Sequence, residues 1–311
     1  DLGGPKIRTG PMEDGSIVLT PGAEVTITTE PVTGTAERFS TQYAGLPADV
    51  QPGASILLDD GALELAVLDV QEGRVRCRVA RGGELCSRKG INLPDTPVSA
   101  PTIGAKDEAD LAVGIEEGVD FVAVSFVREA ADIRHVRAVL EAGNCPAQVI
   151  AKIERPEAVE NIEAITQAAH GILVARGDMG VEMDLARVPL LQKQIVRIAN
   201  EEEKYVIVAT QMLESMVTRS RPTRAEVADV TGAILDGTDA VMLSAETSIG
   251  AYPVSAVRMM DRIARETEAY AAGQPQGWEQ TAVNPGNPVQ DAIGRAAFGL
   301  SRDLGAHAIV V

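Results

Sequence analysis

Aromatic side chains, cysteine and histidine are all scarce in this chain, and negative charge outweighs positive. Only 3% of its 311 residues are Phe, Trp or Tyr, with one tryptophan, three cysteines and three histidines. A core so poor in aromatics must rest on Ala, Val, Ile and Leu. Cys77, Cys86 and Cys145 lack metal-type spacing and read as ordinary thiols in a reducing cytosol. His135 and His170 are expected on helices and His307 on a terminal strand; their spacing makes no metal site, and none is read as catalytic. Lys and Arg number 28 against 45 Asp and Glu, a formal net charge of −17. Such a balance argues against coating nucleic acid or an anionic membrane. It leaves room for a phosphate site, because a few local cations can focus positive potential inside an acidic protein. No run is long and apolar enough to span a membrane and no signal peptide is recognised, so a cytoplasmic protein is expected.

What is present is ordinary globular material: 45% hydrophobic and 23% charged residues, in a chain long enough for more than one domain. Residues 11–98 hold short Val/Ile/Thr/Leu runs parted by turn pairs, such as SIVLT, EVTITTE and RVRCRVARGG. Asp60-Gly61 between SILL and ALELAVL marks a hairpin, and an all-β domain is expected here. From residue 99 the pattern changes. A helix over EADLAVGIEE ending at Gly118 is followed by VDFVAVSF, and strands then alternate with helices. Strands are expected at 148–153, 171–175, 205–209 and 239–243, and helices at 156–168, 188–202, 223–235 and 253–268. Thr223 and Glu226 form a capping box for the third of these helices.

Strands apolar on both faces, alternating with helices, imply a parallel sheet covered by helices. Polar residues gather where those strands end: Ser125, Lys152, Glu154, Asp178, Thr210, Gln211, Ser244 and Glu246. That distribution favours a (β/α) barrel, whose chemistry sits at this rim, over a doubly wound sheet with one switch point. Residues 269–286, which include Trp278, read as a linker. Both ends, DLGGPKIRTG and AHAIVV, are expected to be cut through elements.

Within VIAKIERPEAVENIEAI, Lys152 and Glu154 stand two apart and share one face of an extended strand. GILVARGDMGVE then carries Arg176 and Asp178 just past another strand. Two carboxylates, a lysine and backbone N–H groups at a sheet rim suit a divalent cation with an anionic, phosphorylated substrate. Plainer readings stand beside this one. The carboxylates could pair with Arg155 or Arg176, Lys152 could snorkel, and Thr210 and Ser244 could cap the following helices. Phe126 could be core, and Lys6, Arg8 and Lys89 could be solvated.

In these motifs, and in ATQMLESM, RPTRAEVADV and DAVMLSAETSIGAYP, the chain resembles the pyruvate kinase family over nearly its whole length. The resemblance implies a (β/α)8 TIM barrel with an all-β domain inserted after the third strand and a C-terminal α/β domain. Residues 1–10 would end barrel strand 3, 11–98 form the insert, 99–268 carry strands 4–8, and 287–311 begin the C-terminal domain. The first strands and most of the last domain would be absent. The implied reaction is phosphoryl transfer from phosphoenolpyruvate to ADP, giving pyruvate and ATP.

The resemblance also implies roles. Glu154 and Asp178 would hold Mg2+ or Mn2+. Lys152 would hold the transferring phosphoryl group, with Arg8 contacting it and Lys89 approaching nucleotide phosphates. Ala175, Arg176, Gly177, Asp178 and Thr210 would bind the substrate carboxylate. Thr210, Ser244 and Glu246 would belong to the network that protonates the enol. Potassium-dependent relatives read DTKGPEIR where this chain has DLGGPKIR, so Lys6, near Asp1, Leu2 and Phe126, would replace K+. A homotetramer is implied for the full-length enzyme and at most a weak dimer for this chain. The alternatives are an inactive fragment or scaffold with this fold, and a metal-dependent lyase or aldolase acting on phosphoenolpyruvate or a 2-oxo acid.

Overall fold

A computed structural model describes residues 1–71, 73–94, 96–272 and 288–306. Five parallel strands form one sheet: Phe121–Val124, Gln148–Ile153, Gly171–Ala175, Tyr205–Ala209 and Ala240–Met242. Each pairs with its neighbour in sequence, so every crossover steps the same way. That order builds a barrel wall; a doubly wound sheet would reverse direction partway. Leu2 forms a parallel bridge to Val124 and donates its N–H to Ala123 O at 2.8 Å, which adds a single bridge to one edge of the sheet.

Burial follows the period of two. Val149, Ala151 and Ile153 join the large core beneath the helices. Ile150 faces the other way and packs with Ala123, Leu173, Ala175 and Ala209 in a small inner layer. Strands with both faces covered explain the unbroken apolar runs in the sequence.

Helices Ala105–Glu117, Ala130–Ala142, Val188–Glu201, Arg224–Leu235 and Pro253–Ala272 surround the sheet's outer face. The first stops at Gly118, whose φ of 66° is the left-handed conformation that closes a helix most easily with glycine. The single helix expected at 156–168 is two helices, Pro156–Glu160 and Ile162–Ala168. Asn161 divides them; its side chain donates to Arg128 O at 2.9 Å, a tertiary bond that competes with helix continuation. His170 is not helical. It lies in the turn before Gly171, and its Nδ1 accepts from Val149 N at 3.0 Å. Cys77 is buried, which pushes its thiol up to about 12, while Cys86 and Cys145 are partly buried; all three are free.

The β-rich stretch forms a six-stranded sheet ordered Arg38–Ser40, Glu24–Thr28, Arg74–Arg81, Leu63–Gln71, Ser55–Leu58, Ile91–Asn92. Only the first pair is parallel. Strands Ser16–Leu19 and Gly83–Cys86 form a separate antiparallel pair. The hairpin at Asp60-Gly61 is present, with Asp59, Asp60 and Gly61 all at positive φ. These strands enclose a second core built around Phe39, Leu58 and Leu65. The outgoing and returning chains run side by side where this sheet meets the barrel wall. Thr9 N donates to Lys89 O at 2.8 Å and Ile91 N to Ile7 O at 2.9 Å.

Beyond the barrel wall, Pro288–Asp303 is a helix. Trp278, most of the expected linker and His307 with the terminal strand lie outside the described residues.

Candidate active site

Lys152 and Glu154 continue the inner face begun by Ile150, so the strand's alternation lifts both into the barrel mouth. Lys152 Nζ lies 3.1 Å from Glu154 Oε1, donates to Ser125 Oγ at 2.8 Å, and lies 3.4 Å from Asp1 Oδ2. Glu154 is only 1% exposed, and its Oε2 accepts from Phe126 N at 2.7 Å. Burial pushes the Glu154 carboxyl above its ordinary range; Lys152 pulls it back, and Asp178 pushes it further up. Phe126 holds a φ of 55°, an uncommon value for a bulky residue, and there its N–H meets the glutamate.

The next strand ends at Ala175, and the short helix Arg176–Glu182 follows. Asp178 is on its first turn, with Lys6 Nζ 3.8 Å from its Oδ1. Neither carboxylate takes the arginine partner that composition allowed. Arg155 pairs with Glu157 and Glu182, and Arg176 pairs with Asp229 at 2.6 Å. Arg176 also donates to Thr210 O at 2.8 Å, so its guanidinium braces the loop after the neighbouring strand. Thr210 does not cap the segment that follows it but binds the first turn of the helix Arg176–Glu182. At φ 70° its hydroxyl accepts from Gly177 N at 2.7 Å and donates to Ala209 O at 2.6 Å.

Arg8 and Lys89, far apart in sequence, are brought together: Arg8 bridges Gly90, and its guanidinium donates to Arg88 O at 3.1 Å. Lys89 Nζ is 2.8 Å from Asp59, whose hydrogen bond raises the lysine's pKa. Leu2 is buried against the wall. Ser244 begins the turn Ala245–Ser248 without a side-chain capping bond. Glu246 is wholly buried and accepts from Leu213 N at 3.0 Å and Ser244 N at 2.8 Å. Asp59, Asn92, Asp229 and Glu182 are further neighbours of the site that the sequence patterns do not single out. For Glu182 a signal existed, since it stands one helical turn from Asp178.

Among the described residues no cluster of three or more His, Cys, Asp or Glu could alone enclose a metal. Magnesium keeps waters and uses few protein carboxylates, so Glu154 and Asp178 are the residues that could hold it here. Burial first, and Asp178 after it, disfavour the charged form of Glu154, and a divalent cation held there would offset both. A cavity of about 640 Å³ lies elsewhere, between the helices Arg224–Leu235 and Pro253–Ala272, and none of these rim residues lines it. No helix among the described residues is long and apolar enough to cross a membrane.

Residues 1–257 match the family model described as pyruvate kinase, barrel domain. The whole chain is 47% identical to a pyruvate kinase of Geobacillus stearothermophilus, covering 53% of that protein. Over 86% of the chain it is 49% identical to a pyruvate kinase of Corynebacterium efficiens, covering 56% of it. The same share is 49% identical to one from Staphylococcus aureus, covering 46% of it. The chain thus spans about half the length of these relatives.

Proposed function

Since the chain belongs to the pyruvate kinase family of glycolytic phosphotransferases, we propose that its parent protein transfers the phosphoryl group of phosphoenolpyruvate to ADP at the rim just described. The observation that carries this is the seating of Lys152 and Glu154 on the inner face, with Asp178 close enough to raise the Glu154 pKa.

Glu154 and Asp178 would hold Mg2+ or Mn2+, which when bound supplies positive charge between two anionic reactants. Lys152 is kept extended by Glu154, Ser125 and Asp1, so its ammonium needs little reorganisation to meet the equatorial oxygens of the phosphoryl group. Arg8 and Lys89 stand on the paired strands leading to the inserted sheet and present cations to the nucleotide phosphates. Lys89 leaves Asp59 when it does so. The segment from Ala175 to Asp178, with Thr210 against Gly177, receives the substrate carboxylate. Ser244 and Thr210 contribute hydroxyls to enol protonation, and Glu246 orients that loop through its two backbone bonds.

Lys6 supplies the fixed positive charge that K+ supplies in relatives reading Thr and Glu at the Leu2 and Lys6 positions. Its place beside Asp178 supports this, because a tethered ammonium there repels a second monovalent cation. The full-length enzyme is a homotetramer in this reading.

The test is an assay of the full-length parent with phosphoenolpyruvate, ADP and Mg2+, alongside Mn2+ titration calorimetry. Asp178→Asn is expected to weaken Mn2+ binding and erase turnover. Unchanged Mn2+ affinity would sink the carboxylate assignment.

A further inference from the structure

A buried polar cluster behind the rim plays no part in the chemistry above. Asn92 ends the last strand of the inserted sheet, and its Nδ2 donates to Glu182 Oε1 at 2.8 Å. Arg155 Nη1 lies 3.6 Å from Glu182 Oε2, and Arg155 Nη2 donates to Thr96 O at 3.3 Å. Asn92, Arg155 and Glu182 are 8%, 7% and 3% exposed. Among the described residues Glu182 Oε2 has no hydrogen-bond partner, and the Arg155 charge faces it. Parting the two costs free energy, because it leaves the buried Glu182 carboxylate uncompensated, while Arg155 keeps its other partner, Glu157.

The cluster's position matters more than its strength. Arg155 directly follows Glu154. Glu182 stands one turn beyond Asp178 on the same seven-residue helix. Lys6 and Phe126 line the same small cavity as Asn92, Arg155 and Glu182. One cluster therefore touches the return from the inserted sheet and both carboxylate-bearing segments.

We propose that Asn92, Arg155 and Glu182 are positioning residues that couple the inserted β-sheet to the Glu154–Asp178 pair, so that moving the sheet changes how those carboxylates meet a divalent cation. The link to the cation rests on the metal reading above; the mechanical coupling does not.

Glu182→Gln keeps the acceptor for Asn92 and removes the charge facing Arg155. Asn92→Ala removes only the donor and serves if the first variant fails to fold. In the full chain, hydrogen–deuterium exchange is expected to quicken both in residues 91–98 and in residues 176–182. Mn2+ affinity, measured well below the melting transition, is expected to fall roughly threefold to tenfold, the range one buried hydrogen bond can transmit. A lower melting temperature with wild-type Mn2+ affinity, while Asp178→Asn loses Mn2+, would overturn the coupling and leave the metal reading standing. If the wild type binds no Mn2+, the metal reading fails, and exchange decides the rest. Quickening at 91–98 without any at 176–182 would then refute the coupling.

Discussion

Glu246 is fully buried, and it uses both side-chain oxygens on backbone N–H groups. Glu246→Ala strands those two donors and is expected to cost about 2–6 kcal/mol in urea unfolding, the sum of two unsatisfied groups. Glu246→Gln keeps one good acceptor and should lose less. Equal stability of all three proteins would remove Glu246 from its bracing role. Lys6 invites a different experiment. Lys6→Glu with Leu2→Thr in the full-length parent should make turnover respond to K+. The unmodified parent should run without K+ in a sodium-free tetramethylammonium buffer. Severalfold activation of the unmodified enzyme by K+ would show that Lys6 does not fill this part.

The helix Arg224–Leu235 shows how one side chain fixes an element at both ends of a loop. Glu226 accepts from Thr223 N and from the N–H and hydroxyl of Ser215, while Thr223 Oγ1 accepts from Glu226 N. Burial pushes the Glu226 carboxyl up, but the hydrogen bonds from Ser215 and Thr223 outweigh it, and the group sits below its ordinary value. The unfolded chain therefore binds this proton more readily than the folded one. The stabilisation is complete above the unfolded value and is lost as pH falls through the lowered folded value. Glu226→Gln should destabilise the protein by about 1–2 kcal/mol at pH 7, the size of a lost cap. The difference from wild type should shrink towards pH 3. A difference that stays constant over that range would show that the charge on Glu226 is not what holds the cap.

For the molecule as a whole, the parallel sheet pairs Ala240–Met242 on one side only among the described residues. Such an edge offers unpaired backbone groups for association. With a net charge of −17 opposing close approach, the 311-residue chain is expected to form a weak dimer at most. Light scattering across a concentration series checks this; a stable tetramer of this chain would contradict it.

Local physics made much of this protein legible before any coordinates. β-branched runs, turn pairs and the Thr223–Glu226 box act over a few residues, so the sequence alone placed the strands, the hairpin at Asp60-Gly61 and the start of that helix. The shared face of Lys152 and Glu154 followed from strand alternation alone. The break at Asn161 was not legible, because the carbonyl of Arg128 that it binds is brought close only by packing. For the same reason only the tertiary structure decided that Arg176 spends its charge on Asp229, that Lys89 rests on Asp59, and that Lys6 faces Asp178. It also decided that Asn92 reaches Glu182. Each of these joins segments far apart in the chain whose approach depends on how strands and helices pack, which no local pattern encodes.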